Sequence, residues 1–89
     1  MEFESTPVFD RDIKKLDRHE RTLLKELIAL IQKNPQIGKP MEHYSNVFSK
    51  RAGVRRLVYK ANLKERVILL ILYENRDEAY ETLRKMSGI

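Results

Sequence analysis

Residues 67–72 read VILLIL and run directly into Tyr73. Successive side chains of a strand project to opposite sides, so a run without polar alternation cannot leave either side wet. Arg66 to Tyr73 therefore reads as a central strand covered on both faces, and the rest of the chain must supply the cover. At six residues the run is far shorter than the roughly 20 apolar residues that cross a bilayer.

The upstream pattern is helical. Phe9, Ile13 and Leu16 recur at spacings of four and three, on one face of a helix expected from Asp10, with Arg11, Lys14, Lys15 and Arg18 on the others. Asp17 is a candidate cap for a second helix. That helix carries Leu23, Leu24, Leu27, Ile28 and Ile31 as its apolar stripe, with Glu20, Arg21, Lys25 and Lys33 outward. Asn34-Pro35 stops it, and the two helices together read as an αα-hairpin. Met1 to Ser5 alternates weakly, as a short edge strand ended by Pro7 would.

Residues 35–45, PQIGKPMEHYS, form a loop. Val47–Arg51 and Val54–Ala61 then read as strands about Ala52-Gly53, where glycine can take a positive φ. Asn62 to Glu65 is a polar turn before the central strand. From Asp77 a last helix carries Ala79, Tyr80, Leu83 and Met86, and Ser87-Gly88 ends it. The order β-α-α-β-β-β-α predicts an α+β fold: an antiparallel sheet covered by an N-terminal helical hairpin, with a C-terminal helix. At 89 residues this is one domain, 1–89.

The chain has no cysteine, which excludes a disulfide scaffold and thiolate zinc sites. The acidic start MEFEST carries no apolar signal-peptide core, so a cytoplasmic, soluble protein is expected, with no membrane partner. Lys and Arg number 18 against 13 Asp and Glu, a net charge of +5. That surplus suits a polyanion, because neutralised phosphates release condensed counterions; it also suits a plain solvated surface.

One segment departs from ordinary sheet chemistry. FSKRAGVRRLVY, residues 48–59, sets Lys50, Arg51, Arg55 and Arg56 around a tight turn, where a hairpin usually buries apolar groups. With the helical hairpin, NPQIGKPM and VILLILYENRDEAY, it resembles the RelE/ParE toxin superfamily of bacterial and archaeal toxin–antitoxin systems. The most specific matches are the R-x-G-x-x-R-x-x-Y run from Arg51 to Tyr59 and the R-x-x-x-Y run from Arg76 to Tyr80.

The resemblance implies a RelE-like toxin that cleaves messenger RNA on the ribosome, inhibiting translation. The RNA's own 2′-hydroxyl attacks the adjacent phosphate, with no metal or cofactor. It implies a catalytic set of Arg56, Arg76 and Tyr80, with Lys50, Arg51 and Arg55 binding RNA. Arginine suits the task because its planar fork bonds two phosphate oxygens and stays charged. Arg56 would hold the scissile phosphate, Arg76 would support the leaving-group charge, and Tyr80 would stack on a base or handle a proton.

The implied partner is a cognate antitoxin, short, acidic and helical. RelE-like nucleases also place lysines on the strand before Arg56, at positions that hold Val47 and Ser49 here. That departure keeps two alternatives open: a ParE-like inhibitor of DNA gyrase, and a catalytically degenerate antitoxin-binding subunit. Structural roles compete at each position, namely an Arg56–carboxylate pair across the sheet, Tyr80 packed on Leu83, and Arg76 paired with Glu78 or Glu81. His19 reads as a solvated residue and His43 as a loop residue able to approach the site, neither at metal-ligand spacing.

Overall fold

The computed structural model describes residues 1–86, 88 and 89. Its elements are β1 (Glu2–Ser5), α1 (Pro7–Ile13), α2 (Arg18–Lys33), β2 (Lys39–Pro40), β3 (Val47–Ala52), β4 (Arg55–Asn62), β5 (Val67–Asn75) and α3 (Arg76–Lys85). Three helices and a five-stranded sheet make an α+β fold. Among the described residues no helix is long and apolar enough to cross a membrane.

Local chemistry explains most boundaries. The first helix begins at Pro7, earlier than the expected Asp10, because Thr6 caps it: its hydroxyl accepts the Phe9 N–H at 3.1 Å. Pro7 then occupies the first turn, where a missing N–H costs nothing. Asp17 caps α2 as expected, in a reciprocal capping box with Glu20. The loop between β3 and β4 is Gly53-Val54, one residue later than expected, with Gly53 at φ 64°. Helix α3 ends at Lys85; the expected Ser87-Gly88 stop lies, at Ser87, outside the described residues.

The sheet runs β1-β5-β4-β3-β2, with VILLIL in the second strand, bordered on both sides. It is mixed, which corrects the expected antiparallel sheet: β1 pairs parallel to β5, from Glu2↔Val67 to Ser5↔Leu70. Strand β2, two residues long, was not expected; it pairs with Phe48 and Ser49 of β3. Beyond Ser5 the edge of β5 is closed by side chains of the first helix and its cap. The Thr6 hydroxyl donates to the Ile71 carbonyl at 2.5 Å, and Asp12 accepts the Tyr73 N–H at 3.1 Å.

Each face has its own core. On one, Phe9, Leu24, Leu27 and Ile31 of α1 and α2 meet Leu57, Tyr59, Ile68 and Tyr73. On the other, Ala79 and Leu83 of α3 meet Val47, Val58, Ile71 and Leu72. Between Val58 and Tyr59 the register shifts: Val58 faces Leu72 while Tyr59 faces Leu70. The extra residue, Ile71, is a bulge. It reverses the alternation beyond it, so Tyr73 joins the α1/α2 face and Glu74 the α3 face.

Candidate functional site

Alternation along the hairpin separates its cations. Arg51 and Arg56 are cross-strand partners, on the same face as Val58 and α3. Like charges directly opposite one another destabilise a sheet, and this fold places two guanidinium groups there. Helix α3 follows β5 without a loop and brings Arg76 to the same spot. Arg51, Arg56, Arg76 and Val54 line an open hollow of about 310 Å³.

Among the described residues these three arginines have no counter-ion: no carboxylate oxygen lies within ion-pair distance of any of them. Glu74 sits opposite Arg56 in register, yet its side chain turns away. Its carboxyl accepts from the Thr82 hydroxyl at 2.7 Å and lies 3.9 Å from the Arg11 guanidinium. Glu81 pairs with Arg84 and Lys85 rather than with Arg76. Among the described residues Arg56 is propped only by Ser49, whose Oγ accepts from Nη1 at 3.5 Å, and Arg51 Nε donates to the Gly53 carbonyl at 3.0 Å.

Arg56 also lines an adjoining hollow of about 280 Å³, together with Lys39, Pro40, Met41, Glu42, Ser49 and Tyr80. Tyr80 is half-buried there, four residues beyond Arg76 on the same side of α3. The three residues expected to converge do not share one hollow: Arg76 lines the first, Tyr80 the second, and Arg56 both. Sequence reasoning did not single out Glu42, the one carboxylate among the described residues lining either. Its signal was absent, since it stands in a loop whose path is set by tertiary contacts.

The loop is fixed from below by Tyr59. Its hydroxyl donates to the Pro35 carbonyl at 2.9 Å and accepts the Gly38 N–H at 3.0 Å. A side chain at Gly38 would meet the Phe48 β-carbon, the Ser49 carbonyl and the Tyr59 hydroxyl, all at 3.0 Å. The glycine lets the loop pass close to β3 and deliver Pro40 to Glu42 to the hollow.

Two expected RNA contacts lie elsewhere. Lys50 pairs with Leu57 and Ala52 with Arg55, so Lys50 and Arg55 project to the α1/α2 face, away from both hollows. Arg55 there bonds Glu20 of α2, Nε to Oε2 at 2.6 Å, and this pairing holds the Glu20 carboxyl below its ordinary value. Val47 and Ser49, at the family's lysine positions, are 1% and 3% exposed. His43 lines neither hollow; His19 lines a separate pocket behind the hairpin. Among the described residues no group of three His, Asp or Glu side chains is placed to hold a metal ion.

No known family model matches the chain, and no curated protein does. Solved structures match closely in shape. The isolated RelE toxin of Escherichia coli superposes with a TM-score of 0.75 over 94% of this chain and 95% of its own, at 19% identity. The chain has the fold of the RelE toxins. RelE in the RelB–RelE antitoxin–toxin complex of Methanococcus jannaschii matches at 0.70 and 21% identity, over 89% of this chain and 96% of its own. YafQ of E. coli matches at 0.67 and 18% identity, over 89% and 97%.

Proposed function

We propose that this protein is the toxin of a toxin–antitoxin system and cleaves messenger RNA on the ribosome, in the cytoplasm. The observation that carries the reading is the convergence of Arg51, Arg56 and Arg76 in one hollow without a carboxylate counter-ion among the described residues. A fold tolerates an opposed arginine pair when a ligand supplies the missing anion, and local conflicts of this kind mark functional sites. The RelE fold and the neighbours crystallised with RelB-type antitoxins support the toxin assignment and an antitoxin partner.

In the proposed reaction the 2′-oxygen attacks the adjacent phosphorus while the bond to the 5′-oxygen breaks. The departing 5′-oxygen takes a proton from water, and the products are a 2′,3′-cyclic phosphate and a 5′-hydroxyl end. Charge accumulates on the equatorial oxygens and the leaving oxygen, and fixed guanidinium groups stabilise it more than they stabilise the ground state. Arg56, between the hollows, holds the scissile phosphate; Arg51 and Arg76 take the developing charge.

Tyr80 and Met41 bound the side where the base lies. With lysines absent from positions 47 and 49, Glu42 is the carboxylate placed to accept the 2′-hydroxyl proton, with Lys39 and Tyr80 lining the same hollow, and geometry is the first requirement on such a base.

In vitro translation with and without the protein tests this reading. Transcripts should be cut within the ribosome-bound codon, and Arg56→Ala should slow cutting on the order of 10²–10³-fold. Intact messages would leave the alternative in which the arginine hollow binds without cutting. The burial of Val47 and Ser49 favours that alternative, as a gyrase-type inhibitor or an antitoxin-binding subunit.

A further inference from the structure

Strand β2 is two residues long, and its first residue, Lys39, stands opposite Ser49 of β3. Directly opposed residues of a sheet share a face, so Lys39 projects on the side of Ser49, Arg51 and Arg56. It lines the hollow that Arg56 shares with Glu42 and Tyr80. At this point β3 itself offers no cation, because Val47 and Ser49 are buried and the Ser49 hydroxyl is occupied by Arg56. The charge stands instead on β2, displaced outward by one strand spacing of about 4.8 Å.

The backbone that carries Lys39 is fixed on both sides. Before it, the Gly38 N–H donates to the Tyr59 hydroxyl at 3.0 Å, and only a glycine fits so close to β3. After it, Pro40 disfavours helical geometry at Lys39 and so favours the extended chain of a strand. The Met41 N–H then donates to the Val47 carbonyl at 2.9 Å. The side chain itself is exposed and pairs with no acid. Glu42 lines the same hollow, yet among the described residues no carboxylate lies within ion-pair distance of the Lys39 ammonium. A merely solvated lysine gains nothing from such a mounting. A lysine that meets an anion at a set point does, since a positioned charge costs no reorganisation during reaction.

We propose that Lys39 is a catalytic residue of this chain, its ammonium bonding a non-bridging oxygen of the scissile phosphate on the side of Arg56 away from Arg51 and Arg76. The inference rests on the cleavage reading above and deepens it. Arg51 and Arg76 line the first hollow and Lys39 the second, with Arg56 in both. A phosphate held by Arg56 is therefore flanked by cations from two sides. As the 2′-oxygen attacks, negative charge grows on the equatorial oxygens, and an ammonium on the Glu42 side stabilises it there. Lys39 contributes charge alone: it keeps its proton, and no bond to it forms or breaks.

Because the chain has no cysteine, a thiol placed at position 39 can be modified selectively. In Lys39→Cys, alkylation with 2-bromoethylamine rebuilds a side chain of lysine length that ends in an ammonium. Iodoacetamide gives a neutral adduct of similar size. The readout is single-turnover cutting of ribosome-bound transcripts by the full chain, followed across protein concentrations. The maximal rate should fall on the order of 10²-fold in Lys39→Cys. Half-saturation should change little, because Arg56 still holds the phosphate in the ground state. Aminoethylation should return most of the lost rate and the neutral adduct none of it.

If Lys39→Cys cuts as fast as the parent chain while Arg56→Ala is slow, the role of Lys39 is refuted and the cleavage reading stands. A loss that follows a lowered urea midpoint, or that aminoethylation does not restore, also refutes it and assigns the effect to the packing of the loop. The pH–rate profile of the neutral adduct makes the remaining distinction. A profile whose rise moves to higher pH with its plateau kept would show Lys39 acting through Glu42 rather than on the phosphate, and the proposal falls. Transcripts left intact by the parent chain overturn the cleavage reading and this inference together.

Discussion

Arg51 and Arg56 face each other across β3 and β4 with no acid among the described residues to separate them, although Glu74 occupies the adjacent register position. Glu74 belongs to a different cluster, buried beside Asp12, with Arg11 of α1, Lys15 just beyond that helix, Arg55 of β4 and Glu78 and Thr82 of α3 around it. Burial first, then the hydrogen bond with Asp12, raises its carboxyl above the ordinary 4.5. The folded state therefore holds a proton that the unfolded chain releases at its ordinary value. Stability should fall as pH rises from there through the folded value, then level off. Glu74→Gln, which can donate to Asp12 at every pH, should flatten this decline in thermal melts followed against pH. An unchanged slope in the variant would show that Glu74 is not the group responsible.

Among the elements, the loop between α2 and β3 and the cap of α2 make separable contributions. Gly38→Ala forces a β-carbon into contacts at 3.0 Å with backbone and packed side chains, and overpacking of this kind costs about 1–3 kcal/mol. Because the same loop carries Met41 and Glu42, the variant should lose cleavage beyond its loss of stability, read by comparing urea midpoints with rates. Asp17→Ala removes the acceptor for the Glu20 N–H, 2.8 Å long. It should cost about 1 kcal/mol while leaving the arginine hollow's affinity for RNA unaltered. Capping, periodicity and turn chemistry are local, and the helices and hairpin were legible for that reason. The two-residue β2 and the parallel pairing of β1 were not, because each depends on a partner remote in sequence.

For the whole molecule, the net charge of +5 and the counter-ion-free hollow set the salt response. Three phosphates neutralised by Arg51, Arg56 and Arg76 predict a slope near −2 in log affinity against log salt for single-stranded RNA, about −0.7 per phosphate. Arg76→Ala should reduce the slope's magnitude by about 0.7. Binding of an antitoxin should have a shallower slope, because part of it is burial of apolar surface that salt does not screen. Equal slopes measured for RNA and for the antitoxin would show that the two contacts are alike in kind.

The sequence by itself determined the elements: VILLIL required a strand covered on both sides, Asp17 and Asn34-Pro35 bounded a helix, and Gly53 turned the hairpin. It also determined which residues could bind phosphate, since arginine chemistry is a property of the side chain alone. Tertiary structure decided which of them act together. The Ile71 bulge within an apolar run, invisible to any periodicity, set Glu74 on the face of Arg56, and Asp12, Thr82 and Arg11 then drew its carboxyl away. Alternation sent Arg55 and Lys50 to the far side, and a loop pinned by Tyr59 brought Glu42 in. Faces and neighbours depend on register and remote packing, and neither is written in the local order of residues.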